Sequence, residues 1–535
     1  MPAAPSAPTG SRRTPTVIRL LVLATFVVIL NETIMVNAIP RLMVDLHVTE
    51  RSAQWVSTAF MLTMAAIIPV TGWFLQRVTT RRAYAIAMCV FLAGTALAAV
   101  SPSFPVLLAG RIVQAGGTAV MMPLLMTTLM TVVGEHDRGR VMGNVTLAIS
   151  VAPAMGPVIS GLVLQIASWR WLFVLVLPIA GAVMVFGLRR LENVDEPQPG
   201  DIDWSSVVFA TLGFGGLVYG LSRFGSGSVV EPIVIVAVGL LAIAAFVLRQ
   251  LHLQRTGTPL LDLRILLSAT YSKSLVLMSV AFMAMLGSMI LLPLYLQNLR
   301  HLSPLQTGLL VMPGGLAMGV LGPTIGRIYD RFGGRLLVIP GTIGITAALA
   351  GFTQISLHTP YWQILGLHIL LMLALAAAFT PVFTLGLGAL PQHLYSHGSS
   401  MLGTLQQVAA AFGTALVVTI MSARATSLVA HGTDQPTADL NGMRLAFAVS
   451  AALSVLVIVM AVLLPNRSTA PAEPGTDAVP AEPGPSTASA DAESSAILTD
   501  AESSAILTDA EVSETLTEAE LSAALAEQEV STLAD

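Results

Sequence analysis

Residues 323–335 read Pro323-Thr-Ile-Gly326-Arg327-Ile-Tyr-Asp330-Arg331-Phe-Gly-Gly-Arg335, and residues 69–81 read Pro69-Val-Thr-Gly72-Trp-Phe-Leu-Gln76-Arg77-Val-Thr-Thr-Arg81. Pro, Gly, Arg and Arg recur at a single offset of 254 residues. Each segment joins two long apolar runs, so each reads as a short basic turn between membrane spans. Arginine alone is common in such turns. Four matched positions of three residue kinds point instead to a duplicated unit. Duplication implies two halves of like topology, related by an axis along the membrane normal.

The rest of the chain fits that reading. Of 535 residues, 54% are hydrophobic and 10% charged, with a mean hydropathy of +0.78. Soluble domains carry roughly a quarter charged residues. So few charges cannot cover a water-soluble particle of this size. A soluble enzyme, a disordered protein and a nucleic-acid binder are excluded. The expectation is an all-α polytopic membrane protein. The single cysteine, Cys89, rules out disulfides within the chain, and the nine histidines lack metal-ligand spacing.

Fourteen apolar runs are long enough for a bilayer core, which takes roughly 20 helical residues. They lie near 17–39, 54–75, 83–101, 106–133, 141–166, 169–188, 204–222, 231–249, 273–296, 304–328, 335–354, 363–388, 398–421 and 443–465. With the N-terminus inside, inner segments hold 18 basic residues and outer loops seven, and Arg111 lies within a span. The excess places both termini in the cytoplasm. Residues 1–16 read as a short cytoplasmic tail leading into the first span, not as a cleaved signal. The domain expectation is an N-terminal six-helix half at 17–190, two linker helices with their loops at 191–272, and a C-terminal six-helix half at 273–465.

Residues 466–535 carry 15 acids and one arginine, and the body carries 25 basic and 15 acidic residues. The unit Asp491-Ala-Glu-Ser-Ser-Ala-Ile-Leu-Thr repeats at once from Asp500. Nine residues turn a helix by about 900°, so successive copies offer no continuous stripe to bury. The expectation is an acidic, mostly disordered cytoplasmic extension, either dispensable or a docking segment.

The chain resembles the fourteen-span drug:proton antiporter family of the major facilitator superfamily over roughly residues 17–465. Gly326 to Arg335 is similar to the family's loop signature Gly-x-Leu-x-Asp-Arg-x-Gly-Arg-Arg. The first-half copy departs from it at Gln76 and Thr79. Arg111-Ile-Val-Gln114-Ala-Gly-Gly resembles the family's Arg-x-x-Gln-Gly motif. Ala152-Pro-Ala-Met-Gly156-Pro157-Val-Ile-Ser160-Gly161 resembles its antiporter motif. Leu30-Asn31-Glu32-Thr33 to Pro40 resembles its first-span motif, with Asn31 at the family's acid position and the acid one residue on, at Glu32. The resemblance implies a major facilitator fold of two six-helix halves plus two linker helices, 14 spans in all. It also implies a multidrug efflux antiporter, associated with antibiotic resistance, in a bacterial cytoplasmic membrane.

Glu32 and Arg111 are the ionisable acid and base expected deep in the spans, where a lone charge costs at least about 2.5 kcal/mol. At 1.5 Å per residue they lie about 12 and 9 Å from the outer side. Glu32 is the candidate proton site with Arg111 as its counter-charge; a fixed ion pair and a water-facing Glu32 are the alternatives. Thr118, Met122, Met126 and Met130 share a helical face with Arg111. They suit a soft lining for varied apolar cargo, or plain core packing. Asn31, Gln114, Asn144, Gln406 and Gln407 are candidate hydrogen-bonding groups for cargo. Gly72, Arg77, Arg81, Gly326, Asp330, Arg331 and Arg335 are the candidate gating residues of the loops. Gly156, Pro157 and Gly161 are those of the fifth span, through close packing and a bend.

The chain has no phosphate-binding loop and no catalytic constellation, so it reads as a secondary transporter without a cofactor, powered by a proton gradient. Its expected partners are a small-molecule substrate, protons and the lipid bilayer, and no nucleic acid; an accessory protein stays open. A dedicated metabolite exporter, a symporter, or a sensor signalling through the tail are the rival readings.

Overall fold

The computed structural model describes residues 15–35, 38–194, 197–198, 200–224, 230–256 and 258–467. The expected acidic tail, apart from its first two residues, lies outside them, as does most of the N-terminal tail. The described residues form helices and contain no strand. Among the described residues, fourteen helices are long and apolar enough to cross a membrane. They are α1 Thr16–Ile34, α2 Glu50–Arg77, α3 Thr80–Ala99, α4 Phe104–Val132, α5 Arg138–Ile166, α6 Arg170–Arg190 and α7 Trp204–Ser222. Next come α8 Val230–Thr256, α9 Ala269–Leu294, α10 Pro304–Phe332, α11 Arg335–Phe352, α12 Tyr361–Gly388, α13 Tyr395–Ala430 and α14 Gln435–Leu463. Helices satisfy their backbone groups internally, which a segment crossing hydrocarbon must do. Large apolar side chains such as Leu241 and Leu248 of α8 stand exposed, as a lipid-facing surface requires. The protein is a multi-pass membrane protein.

Several bounds differ from the sequence expectation, α8 running to Thr256 rather than near 249 and α13 to Ala430 rather than near 421; for two others the physical reason is plain. The first span, expected to reach residue 39, ends at Ile34, and a separate short helix Ile39–Asp45 begins with Pro40 in its first turn. Proline lacks the N–H that a continuing helix needs but is suited to a helix start. The last span begins at Gln435, not near 443, because Asp434 caps it by accepting from the Thr437 amide at 3.1 Å. Apolar content alone does not register such polar first turns.

The duplication is visible in the coordinates. Helices α4 and α12 start at Phe104 and Tyr361, the 3-10 turns after them at Glu135 and Gln392, and α5 and α13 at Arg138 and Tyr395. Each pair is separated by 257 residues. The ends of the two sets also match. The last residues of α6 and α14 are followed by Leu191-Glu-Asn193 and Leu464-Pro-Asn466. Asn193 Oδ1 accepts from the Arg81 amide at 3.2 Å, and Asn466 Oδ1 from the Arg335 amide at 3.1 Å. Thus each basic turn is held by the chain leaving the sixth helix of its own set.

The side carrying the α2–α3 and α10–α11 turns is termed proximal, and the opposite side distal. Two seams join the sets: α5 runs along α10, and α2 along α13. In the first, Gly143 packs on the Gly322 carbonyl and Gly326 on the Gly139 carbonyl, which only residues without a Cβ allow. In the second, the Ser400 hydroxyl donates to the Ile68 carbonyl. These are the same contact twice, since 143 and 400 differ by 257 and 68 and 322 by 254. Helices α7 and α8 flank the second seam. Val218 and Leu221 of α7 pack with Ala65 of α2 and Ala411 and Ala415 of α13. Asp203 caps α7 and takes Arg249 of α8 through two hydrogen bonds of 2.9 and 3.0 Å. That Arg249 pairing, outweighing burial, holds the Asp203 carboxyl down to about 2.

Candidate functional site

The centre of the first helix set is a polar cluster in an otherwise apolar core. Arg111, eighth residue of α4, is 1% exposed. Its Nη1 donates to Gln114 Oε1 at 2.6 Å and to Asn31 Oδ1 of α1 at 3.3 Å. Its Nε points to the Val56 carbonyl of α2 at 3.5 Å, and its guanidinium lies 4.1 Å from the centre of the Phe60 ring. Gln114 passes the chain on, donating to Thr95 of α3 at 2.6 Å. Arg111 and Gln114 together therefore tie four helices. The planar fork makes this possible, since a point charge could not meet acceptors in several fixed directions. The cluster is held in place by close packing: a Cβ on Gly110 would sit 2.8 Å from the Ala98 amide nitrogen of α3.

The direct partner of Arg111 on α1 is Asn31, not Glu32. Glu32 is half-buried and within electrostatic reach of Arg111, yet the two form no ion pair. Helices α1 and α4 are neighbours, and Asn31 meets Arg111 directly. A step of one residue turns the side chain by about 100°, so Asn31 and Glu32 face different ways. Asn31 Nδ2 is buried without a hydrogen-bond partner.

The other cargo candidates divide by burial. Gln114 is fully buried in the cluster, and Thr118 donates to its carbonyl at 3.1 Å. Met126 and Met130 are buried in the core, and Met122, Asn144, Gln406 and Gln407 are half-buried. Gln407 Nε2 approaches Met64 Sδ of α2 at 3.9 Å, across the second seam. In this arrangement Asn31 and Gln114 are committed to Arg111 rather than open to cargo.

The gating candidates gather on the proximal side. Asp330 of α10 accepts from the Gly139 and Arg140 amides at 2.8 and 2.7 Å. Its carboxylate thus sits on the N-terminus of α5, where free amides and the helix dipole favour an anion. The first-half counterpart is neutral: Gln76 Nε2 donates to the His393 carbonyl at 3.0 Å. Arg77 donates to Gln76 at 2.8 Å and lies over Trp73, while Gly72 backs onto His397 Nδ1 of α13. Arg331 stacks on Phe332, and its carbonyl accepts from Arg467 at 3.2 Å. Arg81 and Arg335 take part through their backbone amides, bound by Asn193 and Asn466, and Arg335 Nε also donates to the Leu464 carbonyl at 3.1 Å.

Further bonds close the proximal side between the sets: Arg138 to the Tyr395 hydroxyl at 3.2 Å, and Thr127 to Ser399 and Thr146 to Thr380 at 2.8 Å each. On the distal side Gly156 backs onto Thr33 of α1, and Pro157 lies 3.3 Å from where a Cβ on Gly308 would be. Gly161 is looser, with Leu305 Cδ1 at 3.6 Å from its Cβ position. Sequence reading missed Thr95, Phe60, Asn193, Asn466 and Arg138. The Leu-x-Asn pair was a signal available for two of them; the other three need the helix packing.

The profile of the Major Facilitator Superfamily matches residues 21–414. The "Uncharacterized MFS-type transporter YcnB" of Bacillus subtilis is 39% identical over 459 residues, 85% of this chain and 96% of that protein. The chain belongs to the Major Facilitator Superfamily. The "Lincomycin resistance protein LmrB" of Listeria monocytogenes is 38% identical over 412 residues, covering 76% of this chain and 86% of its own length. The "Multidrug resistance protein B homolog" of Mycobacterium tuberculosis is 28% identical over 406 residues, 75% of each chain. Among solved structures, the human organic anion transporter MFSD10 covers 84% of this chain and 100% of its own, with a TM-score of 0.62 and 14% identity. That similarity is one of fold. This facilitator is a transporter, not an enzyme, and its relatives include proteins named for drug resistance.

Proposed function

We propose that this facilitator exports amphiphilic or cationic small molecules, lincosamide-type antibiotics among them, in exchange for protons. The observation that carries the reading is the Arg111 cluster beside Glu32. Arg111 is satisfied by the neutral oxygens of Asn31 and Gln114. Glu32 is therefore free to gain or lose a proton without dismantling the network that holds four helices. A carboxylate inside a membrane span is a functional group by default, since leaving it there is costly.

In this reading the proximal face is cytoplasmic, from the arginine excess, in the cytoplasmic membrane of a bacterium. Residues 17–190 and 273–465 are the two moving halves, residues 191–272 the linker pair, and residues 466–535 a cytoplasmic extension. Closure by Asp330, Arg138 and the glycine seam marks the outward-facing arrangement. Cargo leaves from it, and a proton enters at Glu32. A proton crossing 100 mV supplies about 2.3 kcal/mol, a useful concentration gradient per cycle. No cofactor is needed.

The test uses purified protein in proteoliposomes with lincomycin and ethidium as probes. Glu32→Gln keeps size and hydrogen bonding but cannot cycle a charge. It should abolish accumulation driven by a pH gradient and retain gradient-free exchange of the probe. Parent-like accumulation by Glu32→Gln would remove Glu32 from the mechanism. Accumulation in the direction of proton flow would make the protein a symporter.

A further inference from the structure

His368 is the eighth residue of α12, as Arg111 is of α4, and the two are separated by the same 257 residues as the helix starts. The second half thus carries an imidazole where the first carries a guanidinium. Their supports correspond as well. Arg111 rests on the Phe60 ring, and His368 rests on Gly314, which lies 254 residues from Phe60. A Cβ on Gly314 would come within 2.7 Å of His368 Nε2. A side chain at 314 could not share that space with the histidine.

The polar partners have not been copied. By the same offsets, Gln114 corresponds to Leu371 and Thr95 to Leu349, both fully buried. His368 itself is 4% exposed, its ring is turned to the Val311 carbonyl of α10, and its Nδ1 is buried without a partner. The ionisable residues of the helices around it lie elsewhere: Arg327, Tyr329, Asp330 and Arg331 at the proximal end of α10, Arg335 of α11, Arg138 and Arg140 of α5, Tyr271 and Lys273 of α9. Tyr361 starts α12 two turns away with the Arg300 guanidinium over its ring, and Arg300 also donates to the Thr359 carbonyl and to the Tyr295 hydroxyl, which in turn donates to the Ser356 carbonyl.

A bare imidazole nitrogen can take up a proton, but the resulting charge would have no partner here. An uncompensated buried charge is strongly destabilising, so protonation requires the surroundings to move. The neighbour is built to move. Pro313, Gly314 and Gly315 follow one another in α10 at this level. Proline withholds an N–H and frees the carbonyl four residues back, and adjacent glycines leave the helix easy to bend. The same α10 forms the glycine seam with α5. Bending at 313–315 would hydrate Nδ1 and alter that seam in one motion.

We propose that His368 is a second proton-binding site of the transport cycle, with Nδ1 as the acceptor and the α10 bend as the change it drives. This rests on the proton-coupled reading above. The first half then holds a permanent charge with fixed partners, and the second half a charge that comes and goes with conformation.

The experiment compares the parent, His368→Leu and His368→Gln in proteoliposomes with lincomycin as probe. Gradient-free exchange tests the transport reading alone. Accumulation driven by a pH gradient tests the coupling. Both variants should lose a large part of gradient-driven accumulation relative to gradient-free exchange, and lose the dependence of that ratio on pH. Parent-like accumulation with the parent's pH profile overturns the proposal. If the parent itself does not exchange lincomycin, the transport reading fails for that probe while His368 is still tested directly. Nitrogen NMR of histidine-labelled parent protein assigns the His368 signals as those missing in His368→Gln. Reversible protonation of Nδ1 as the pH is lowered supports the proposal, and a ring that stays neutral down to the most acidic pH at which the protein remains folded overturns it, whichever variant folds.

Discussion

Replacing Gly322 by alanine tests whether the α5–α10 seam sets the balance between the open and closed proximal side. The added Cβ would lie 2.5 Å from the Gly143 carbonyl oxygen, with Thr146 Cβ at 3.3 Å. Real Cβ atoms essentially never approach closer than 3.0 Å, so the helices must part by at least about 0.5 Å. The obstacle is backbone, which cannot swing aside. Overpacking of this kind costs about 1–3 kcal/mol, and it falls only on the state in which the seam is closed. Such a difference shifts a two-state balance by about 5- to 150-fold toward the open proximal side. The assay is the distance between spin labels on Glu135→Cys and Arg327→Cys, both exposed, with the exposed native Cys89 changed to serine. Gly322→Ala should move the distribution to longer distances and slow transport. Gly161→Ala is the control, because its Cβ meets Leu305 Cδ1 at an ordinary 3.6 Å. An unchanged distribution in Gly322→Ala would show that the seam yields without a change of state, and the reasoning would fail.

Asp330→Asn removes the charge from the α5 N-terminus, where charge-assisted bonds contribute about 1.5–3 kcal/mol, while Gln76→Ala removes one neutral bond of about 1 kcal/mol. Transport should therefore fall further in Asp330→Asn, and equal losses would argue against a special role for the carboxylate. Arg111→Lys keeps the charge but cannot hold Asn31, Gln114 and the Val56 carbonyl together. Membrane levels should stay near those of the parent while transport drops at least about tenfold, and parent-like transport would make the fork dispensable. Asp203 is held at about 2, below its ordinary value, by Arg249. The sign follows directly: its hold on α7 is complete above about pH 4 and is lost as the pH falls toward 2. Hydrogen exchange in Trp204–Ser222 should rise over that window in the parent, whereas Asp203→Asn should exchange faster already at neutral pH.

Sequence alone determined that the chain crosses the membrane fourteen times in two related sets, because hydrophobic length and a repeated turn are local properties of a chain. Arg111 and Asp330 were legible for the same reason: a charge in or beside an apolar run must have a partner or a purpose. What the charge meets was not legible. Whether Arg111 pairs with Glu32 or with Asn31 depends on a rotation of about 100° about α1 and on the line along which α1 and α4 meet. Thr95 and Phe60 reach the cluster only through the packing of α2 and α3 on α4. Gly322 looks like any membrane glycine until the Gly143 carbonyl lies against it. His368 reads as a lone histidine in an apolar run, and only the helix starts reveal that it stands in the place of Arg111. Periodicity and composition are written along one chain, whereas partners are chosen where separate helices touch, and those contacts exist only in the packed bundle.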